Sequence, residues 1–281
     1  MTALSGEARL AGIMGWPVRH SRSPRLHGFW LEKYGVDGGY VPLPVHPDHL
    51  ETALRALPVL GFAGCNLTIP HKEKALRIVD RVDPIARRIG AINTILVDAD
   101  GTLEGRNTDG HGFLANILAD GRWQPKTGPA VVLGAGGAAR AVLVALIDAG
   151  VPEIRLTNRT RDRAEALAQE FGPPIRVVDW AEREEALDGA ALLVNTTSLG
   201  MIDKDRLDLR LDALPTHAVV NDIVYAPLET ALLADARARG LATVDGLGML
   251  LHQAAPGFAA WFGVTPSVDA ALRRHVLGEA G

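Results

Sequence analysis

Short apolar runs alternate along the chain with longer stretches whose apolar residues recur at helical spacing. This alternation is typical of an α/β fold. From Ala130 onward the order of strand and then helix is regular, with helices predicted at Ala138–Ala149, Arg161–Phe171 and Glu229–Arg239. The strands predicted in this part are Ala130–Leu133, Ile154–Thr157, Ile175–Val178, Ala191–Asn195, Ala218–Asp222 and Ala242–Val244.

The first part of the chain has a less regular pattern. Ser23-Pro24 predicts the start of a helix, because serine can cap free amides and proline suits a first helical position. Asp100-Gly101 predicts a hairpin turn between Ile92–Asp98 and Thr102–Arg106. The remaining pattern predicts strands at Arg9–Met14, Tyr40–Val45 and Phe62–Ile69, and helices at Pro47–Leu57, Lys72–Val79, Pro84–Ile89 and Asn107–Ala119. The last stretch, Gly246–Leu277, is predicted to be helical with no further strand.

A glycine turn joins the strand at Ala130–Leu133 to its helix. The run Gly134-Ala-Gly136-Gly-Ala-Ala139 fits the pattern G-x-G-x-x-A. In that pattern the first glycine permits a tight turn, the second lets the backbone approach a pyrophosphate, and the alanine lets helix and strand pack closely. Since a helix N-terminus also attracts phosphate, the turn predicts a dinucleotide site. The alternative is a glycine turn with a purely structural role.

Two arginines follow the next strand, where an NAD site usually has an acidic residue for the ribose hydroxyls. The strand ends in Thr157-Asn-Arg159-Thr, with Arg163 close behind and no carboxylate at the strand end. Guanidinium groups bind a phosphate through paired hydrogen bonds. The sequence therefore predicts NADP(H) in preference to NAD(H), the alternative being a solvated basic helix start.

Charge and composition limit the partners. The chain of 281 residues has 29 Lys+Arg against 33 Asp+Glu, a net charge of −4, which argues against nucleic-acid binding. Its single cysteine, Cys65, cannot form an internal disulfide, which fits a reducing cytoplasmic compartment. With no signal-peptide pattern and no apolar run of ~18 residues, we expect a cytoplasmic protein with a small-molecule partner and no membrane contact.

Polar residues also occur at several positions where formation of the fold alone does not require them. Ser21 and Ser23 flank a helix start and can bind an anion, although Ser23 can also be only a cap. Lys72 follows a strand at the end where open α/β sheets build their sites, although single lysines are commonly surface residues. Asp109 lies between a hairpin and a helix, and a helix cap is the alternative.

Taken in order, these motifs resemble the shikimate dehydrogenase family. The resemblance runs from Gly15 to the last helices. Its most specific parts are Ser21-Arg-Ser-Pro24, Asn66-Leu-Thr-Ile-Pro-His-Lys72, Asn107-Thr-Asp-Gly110, Gly134-Ala-Gly-Gly-Ala138, Asn158-Arg-Thr160 and Asp245-Gly-Leu-Gly-Met-Leu250.

The resemblance implies the fold and the reaction. It implies an α/β protein of two α/β domains, an N-terminal substrate (shikimate) domain formed by residues 1–109 and 246–281, and a Rossmann-like NADP-binding domain formed by residues 110–245. The reaction implied is reversible NADPH-dependent reduction of 3-dehydroshikimate to shikimate, in aromatic amino-acid (chorismate) biosynthesis. The physiological direction stays open, as does the oligomeric state, for which a homodimer is one outcome.

The resemblance also implies residue roles. Lys72 and Asp109 are the implied catalytic pair, and an interacting pair titrates as a unit, so which is formally acid or base stays open. The implied substrate-binding residues are Ser21, Ser23, Thr68, Asn93, Asp109, Tyr225 and Gln253. The implied cofactor-binding residues are Gly134, Ala135, Gly136, Gly137, Ala138, Asn158, Arg159, Thr160, Arg163, Ile223 and Gly246.

The sequence is compatible with several alternatives. A quinate/shikimate dehydrogenase with broader substrate or NAD use is the nearest. A methylenetetrahydrofolate dehydrogenase is less favoured, because 5% aromatic residues offer a pterin little stacking surface. A non-catalytic dinucleotide sensor would not need both Lys72 and Asp109. No metal site is expected, because His46 and His49 have no evident third ligand.

Overall fold

The structure, a computed structural model, describes residues 4–119 and 121–279. The chain divides into two compact units. The first unit combines Met1–Thr108 with Leu251–Gly281, and the second is Asp109–Leu250. The chain therefore leaves the first unit once and returns to it inside a helix, α8 (Leu247–Phe262).

The first unit contains a mixed sheet in the strand order β2-β1-β3-β5-β6-β4. β1 runs parallel to β2 and β3, whereas β5 runs antiparallel to β3 and β6. The β5–β6 pair is the hairpin predicted at Asp100-Gly101. The elements are β1 (Arg9–Gly15), α1 (Ser23–Lys33), β2 (Gly38–Pro44), α2 (Leu50–Ala56), β3 (Phe62–Leu67), β4 (Arg81–Val82), α3 (Pro84–Ile89), β5 (Thr94–Val97) and β6 (Leu103–Arg106), followed by the C-terminal part of α8 and α9 (Ala270–Leu277).

Two predicted helices in this unit are wrong in part. The segment predicted as a helix over Lys72–Val79 forms only a 3₁₀ turn at Lys74–Arg77, since the chain must then enter the short strand β4. The segment Pro47–Leu57 begins with a 3₁₀ turn at Pro47–His49 before α2. There the His46 ring accepts a hydrogen bond from the Asp48 amide at 3.3 Å and holds the chain in the tighter turn that often opens a helix.

The second unit is built on a parallel sheet in the order β12-β11-β10-β7-β8-β9. Each neighbouring pair in this order runs parallel, and the order is that of a doubly wound dinucleotide-binding sheet. The predicted fold class is confirmed. The elements are α4 (Asp109–Leu118), β7 (Ala130–Leu133), α5 (Gly137–Asp148), β8 (Ile154–Thr157), α6 (Arg161–Phe171), β9 (Ile175–Val178), β10 (Leu192–Asn195), β11 (Val219–Asp222), α7 (Ala231–Ala238) and β12 (Ala242–Val244), followed by the start of α8.

Both faces of this sheet are buried. Along β7, Ala130 and Val132 belong to one apolar cluster, and Val131 and Leu133 belong to another. Successive side chains of a strand point to opposite faces, so the two clusters are the cores on the two sides of the sheet. Burial on both sides explains why β7 is apolar without alternation.

The last helix is fixed to the first by polar contacts. Lys33 of α1 pairs with Asp269 at 2.7 Å, and Asp269 also caps α9 by accepting a bond from the Leu272 amide. The Trp30 indole donates to the Ser267 carbonyl at 3.0 Å, and Tyr34 accepts a bond from the Ser267 amide at 2.8 Å. These contacts explain how the C-terminal segment completes the first unit.

His27 of α1 is fully buried in the aromatic core of the first unit. Its ring stacks on Tyr40 with centroids 3.9 Å apart, and it also contacts Phe258 and Trp261. Neither ring nitrogen has a hydrogen-bond partner among residues 4–119 and 121–279. Burial lowers the pKa of His27 from 6.5 to about 3.

This buried imidazole should make stability depend on pH. Because the unfolded chain binds a proton near pH 6.5 and the folded chain does not until about pH 3, the free energy of unfolding falls as pH drops below 6.5. The expected loss is about 2 kcal/mol between pH 8 and pH 5. Urea titrations at both pH values should show that His27→Phe removes this loss, whereas His217→Gln at an exposed site keeps it. Equal losses in wild type and His27→Phe would contradict the prediction.

Candidate functional site

The start of α1 brings the Ser21 and Ser23 hydroxyls to neighbouring positions. The helix begins at Ser23 itself, and its N-cap, Arg22, makes no side-chain capping bond. Instead the Ser21 hydroxyl accepts a hydrogen bond from the Ser23 amide at 3.2 Å. Ser23 is therefore the first residue of the helix and not its N-cap, so the alternative in which Ser23 is only a helix cap is wrong.

Thr68 and Lys72 follow the C-terminal end of β3. The Thr68 amide donates to the Met14 carbonyl at 3.0 Å, and a Cβ placed on Gly15 would lie 2.4 Å from the Thr68 methyl. Glycine at position 15 therefore leaves room for Thr68. Lys72 is half-buried, and its carbonyl accepts a bond from the Ile92 amide at 2.8 Å, which joins this turn to the segment before Asn93.

Asn93 is buried and its carboxamide has a defined orientation. The Thr108 amide donates to Asn93 Oδ1 at 2.9 Å, so that atom must be the oxygen. Asn93 Nδ2 donates to the Thr108 hydroxyl at 3.0 Å and to Gln253 Oε1 at 3.2 Å. Two predicted substrate-binding residues, 160 positions apart in the chain, are thus brought together.

Asp109 and Tyr225 belong to the second unit. Asp109 is buried and is the first residue of α4. Tyr225 is half-buried in the segment that follows β11. Both are predicted substrate-binding residues, and their predicted roles remain predictions.

The glycine turn has the geometry that its pattern predicts. Gly134 has φ +105°, and a Cβ there would lie 2.7 Å from the Thr196 hydroxyl, so only glycine fits. Gly136 and Gly137 are exposed and would have no atom within 4 Å of an added Cβ, which leaves open space over the N-terminus of α5. Ala139 is fully buried at the helix–strand contact.

The turn from β8 into α6 carries three arginines in different surroundings. Arg161 forms ion pairs with Glu165 and Asp179. Arg159 and Arg163 are exposed and have no acidic partner in the part of the chain that the structure describes. Beside them, Asn158 donates to the Thr160 carbonyl at 2.8 Å, which shapes the turn. Two guanidinium groups are therefore left to bind a phosphate.

A buried carboxylate, which sequence reasoning missed, organises the segment after β11. Asp222 accepts hydrogen bonds from Asn195 Nδ2 at 3.0 Å, the Val224 amide at 3.0 Å and the Thr230 hydroxyl at 2.7 Å. Burial raises the pKa of Asp222, and these three donors oppose that rise. The carboxylate thereby fixes the segment that contains Ile223 and Tyr225. A polar residue closing an apolar strand was the signal available in the sequence.

Ile223 and Gly246 lie against each other in the second unit. A Cβ on Gly246 would come within 2.1 Å of the Ile223 carbonyl oxygen, and the Gly246 amide donates to the Val224 carbonyl at 3.3 Å. The close approach requires glycine. Two residues predicted to bind the cofactor are thus adjacent.

Other kinds of site receive no support from the described residues. Among residues 4–119 and 121–279 no group of three or more His, Cys, Asp or Glu side chains could hold a metal ion. In the same residues no helix is both long enough and apolar enough to span a membrane.

Family models match three consecutive parts of the chain. The shikimate dehydrogenase substrate binding domain matches residues 13–95, shikimate / quinate 5-dehydrogenase matches residues 118–223, and the shikimate 5'-dehydrogenase C-terminal domain matches residues 246–274. A protein of Paramagnetospirillum magneticum, named shikimate dehydrogenase (NADP(+)), is 66% identical over 98% of this chain and 100% of its own length. The chain belongs to the shikimate dehydrogenase family.

Solved structures of the family have the same fold. Shikimate 5-dehydrogenase of Thermus thermophilus, solved in complex with NADP(H) and shikimate, has a TM-score of 0.86 and 41% identity, over 96% of this chain and 99% of that one. Quinate dehydrogenase of Corynebacterium glutamicum, solved with NAD, has a TM-score of 0.90 and 32% identity, over 96% and 99%. The family resemblance read from the motifs is confirmed.

Proposed function

We propose that this chain catalyses the reversible, NADPH-dependent reduction of 3-dehydroshikimate to shikimate in the biosynthesis of aromatic amino acids through chorismate. The observation that carries the proposal is the end-to-end match to a relative named shikimate dehydrogenase (NADP(+)). Family membership makes the chain an NADP-dependent oxidoreductase, as predicted. The substrate, the pathway and the cytoplasmic location are the parts that we propose.

We assign the roles by domain. Residues 1–109 with 246–281 are the substrate domain, and residues 110–245 are the NADP-binding domain. The substrate would be held by Ser21, Ser23, Thr68, Asn93, Asp109, Tyr225 and Gln253. The hydroxyls of Ser21 and Ser23 would bind the substrate carboxylate through hydrogen bonds at the start of α1.

The residues of the second unit fit NADP. The open glycine turn suits a pyrophosphate, and the unpaired guanidinium groups of Arg159 and Arg163 suit a 2′-phosphate. The set that would hold the cofactor is Gly134, Ala135, Gly136, Gly137, Ala138, Asn158, Arg159, Thr160, Arg163, Ile223 and Gly246. When bound, NADP supplies or accepts the hydride.

The protein itself would position the substrate and supply the proton. Reduction of a ketone places negative charge on its oxygen, and the ammonium group of Lys72 would stabilise that charge and can donate the proton. Asp109 would orient Lys72 and accept a hydrogen bond from the neighbouring substrate hydroxyl. The test is a steady-state comparison of shikimate and quinate, each with NADP and NAD. Shikimate with NADP should give the highest kcat/KM.

Quinate oxidation with NAD is the second candidate. It is favoured by the likeness to the quinate dehydrogenase of C. glutamicum. Quinate has an additional hydroxyl on the carbon that carries the carboxylate. The site beside Ser21 and Ser23 would need room for this hydroxyl. A higher kcat/KM for quinate with NAD in the same comparison would replace the first proposal.

Loss of the two unpaired arginines should weaken NADPH binding alone. In Arg159→Ala/Arg163→Ala we expect the KM for NADPH to rise at least ~10-fold, because charge-assisted hydrogen bonds to the phosphate are lost. kcat should change less than about twofold, since neither side chain takes part in the proton transfer.

Arg161→Ala is the matched control for the arginine pair. Its guanidinium group already pairs with Glu165 and Asp179, so the KM for NADPH should stay within about twofold. The KM for NADH, which lacks the phosphate, should respond little in any of these variants. A rise for NADH equal to that for NADPH would contradict the phosphate role.

A further inference from the structure

Asn116 lies in the last turn of α4, outside the residues assigned to the site, and its carboxamide reaches the connection between β12 and α8. The side chain is half-buried, and Nδ2 donates to the Asp245 carbonyl at 2.8 Å. A Cβ on Gly248, the second residue of α8, would come within 1.7 Å of Asn116 Oδ1. The carboxamide therefore fills the space that glycine leaves at position 248.

The peptide between Asp245 and Gly246 is held on both sides. Its carbonyl accepts the bond from Asn116, and its N–H, which belongs to Gly246, donates to the Val224 carbonyl at 3.3 Å. Because a peptide unit is planar, bonds at its two ends fix the orientation of the plane. This orientation leaves little freedom at Gly246, where an added Cβ would lie 2.1 Å from the Ile223 carbonyl oxygen.

The neighbours of this peptide are anchored within the second unit as well. The Val244 carbonyl accepts a bond from Asn221 Nδ2 at 3.0 Å, and the Leu247 amide donates to Asp245 Oδ1 at 3.0 Å. These two bonds come from the adjacent strand β11 and from the connection itself. Asn116 instead stands 129 positions before its partner in the chain. It therefore joins the connection to a separate element, α4.

Gly246 lies on the half of the sheet opposite to the arginines proposed to bind the 2′-phosphate. It follows β12, at one edge in the order β12-β11-β10-β7-β8-β9, whereas Arg159 and Arg163 follow β8. A doubly wound sheet of two mononucleotide-binding halves binds a dinucleotide across the crevice between them. Gly246 would therefore contact the nicotinamide nucleotide, which NADPH and NADH have in common.

We propose that Asn116 is a positioning residue for the cofactor site of the second unit. By holding the Asp245 carbonyl it sets the peptide that precedes Gly246, and so the surface that Gly246 and Ile223 offer to the nicotinamide nucleotide. The assignment rests on the proposed function, because it concerns the cofactor of that reaction. A site that is ordered in advance loses less conformational freedom when its ligand binds.

Asn116→Ala is the direct test, because it removes the carboxamide and keeps a strong helix former in α4. We expect the KM for NADPH, and its Kd by calorimetry, to rise about threefold to tenfold, which is the scale of a lost hydrogen bond. The KM for NADH should rise by the same factor, because the affected half is common to both cofactors. Loss of Arg159 and Arg163 differs in this respect, since it should affect NADPH and not NADH.

Gly248→Ala displaces the same carboxamide without changing Asn116. Its Cβ would overlap Oδ1, so the amide must leave the Asp245 carbonyl, and the KM for NADPH should rise as in Asn116→Ala. In the double variant that space is already empty, so Gly248→Ala should add less than about twofold to the effect of Asn116→Ala, as expected of two residues that act through one contact. Independent effects that multiply would contradict the proposal.

Arg122→Ala is the matched control for a side-chain bond to this part of the backbone. Arg122 Nη2 donates to the Thr243 carbonyl at 3.2 Å, inside β12 and before the connection. This variant should keep the KM for each cofactor within about twofold. Equal rises in Arg122→Ala and Asn116→Ala would show a general loosening of β12 and would overturn the proposal, as would a rise in Asn116→Ala that is limited to NADPH.

The outcomes separate this proposal from the proposed function. If wild type reduces 3-dehydroshikimate with NADPH, and both Asn116→Ala and Gly248→Ala keep its KM, the positioning role is refuted while the proposed function stands. If wild type does not reduce 3-dehydroshikimate, the proposed function fails, and the Kd of NADPH in the same variants still decides the role of Asn116. Melting temperatures report a loss of fold, and a variant that does not fold is replaced by the other.

Discussion

Replacing Lys72 with alanine is expected to lower kcat for shikimate oxidation about 100-fold or more at neutral pH, the usual scale for a lost acid–base group. The ammonium would otherwise stabilise negative charge on the substrate oxygen and transfer the proton. The KM values for shikimate and NADP should change much less, because most of their contacts are made by other residues. Initial rates followed by the absorbance of NADPH measure all three constants.

Lys74→Ala is the control for charge and local structure at this turn. Lys74 stands two residues away and donates to the Pro47 carbonyl at 2.7 Å, outside the proposed site. We expect this variant to keep kcat within about twofold. Near wild-type turnover in Lys72→Ala would refute the role of Lys72. If kcat falls as much in Lys74→Ala as in Lys72→Ala, the fall is caused by disturbance of the turn and not by loss of the Lys72 ammonium group.

The second unit could be predicted closely because its central strands are buried on both faces. Strands such as β7, with Val131 and Leu133 on one side and Ala130 and Val132 on the other, read as uninterrupted apolar runs. Helices and turn signals then separate these runs at regular intervals. The strand Ala130–Leu133 has the predicted bounds for this reason.

The first unit was harder to predict because tertiary contacts override local propensity there. Lys72–Val79 has the composition of a helix, yet the chain forms one 3₁₀ turn and then the short strand β4 beside β6. At Ser23 the composition indicates a cap, yet Ser23 is the first helical residue and its amide donates to the Ser21 hydroxyl. Neither outcome can be read from the neighbouring residues alone.

The candidate site shows the same limit. Residue types and motif order identify Asn93 and Gln253, but the bond between their amides depends on the return of α8 to the first unit. Asp222 was missed because its hydrogen-bond partner Asn195 is far away in the chain. Hydrogen bonds between distant segments follow from the fold and have no sequence pattern of their own.

Replacing Asp109 with asparagine is expected to lower kcat about 100-fold, with little change in the Kd of NADP measured by calorimetry. Asparagine keeps the shape of the side chain but removes the charge that would orient the ammonium of Lys72. It also cannot accept a proton from that group or from the substrate hydroxyl. The loss should therefore appear in kcat at every pH at which the wild type is active.

The same substitution decides between catalysis and a role limited to starting α4. Asparagine caps helices about as well as aspartate, so a capping carboxylate can be replaced by asparagine at little cost. Asp83 is such a cap, since it accepts bonds from the Ile85 and Ala86 amides at 2.8 and 3.2 Å, and Asp83→Asn should keep full activity. If Asp109→Asn behaves like Asp83→Asn, Asp109 only begins a helix and the proposed pair with Lys72 is wrong. If it loses kcat while Asp83→Asn does not, the negative charge itself is required for turnover.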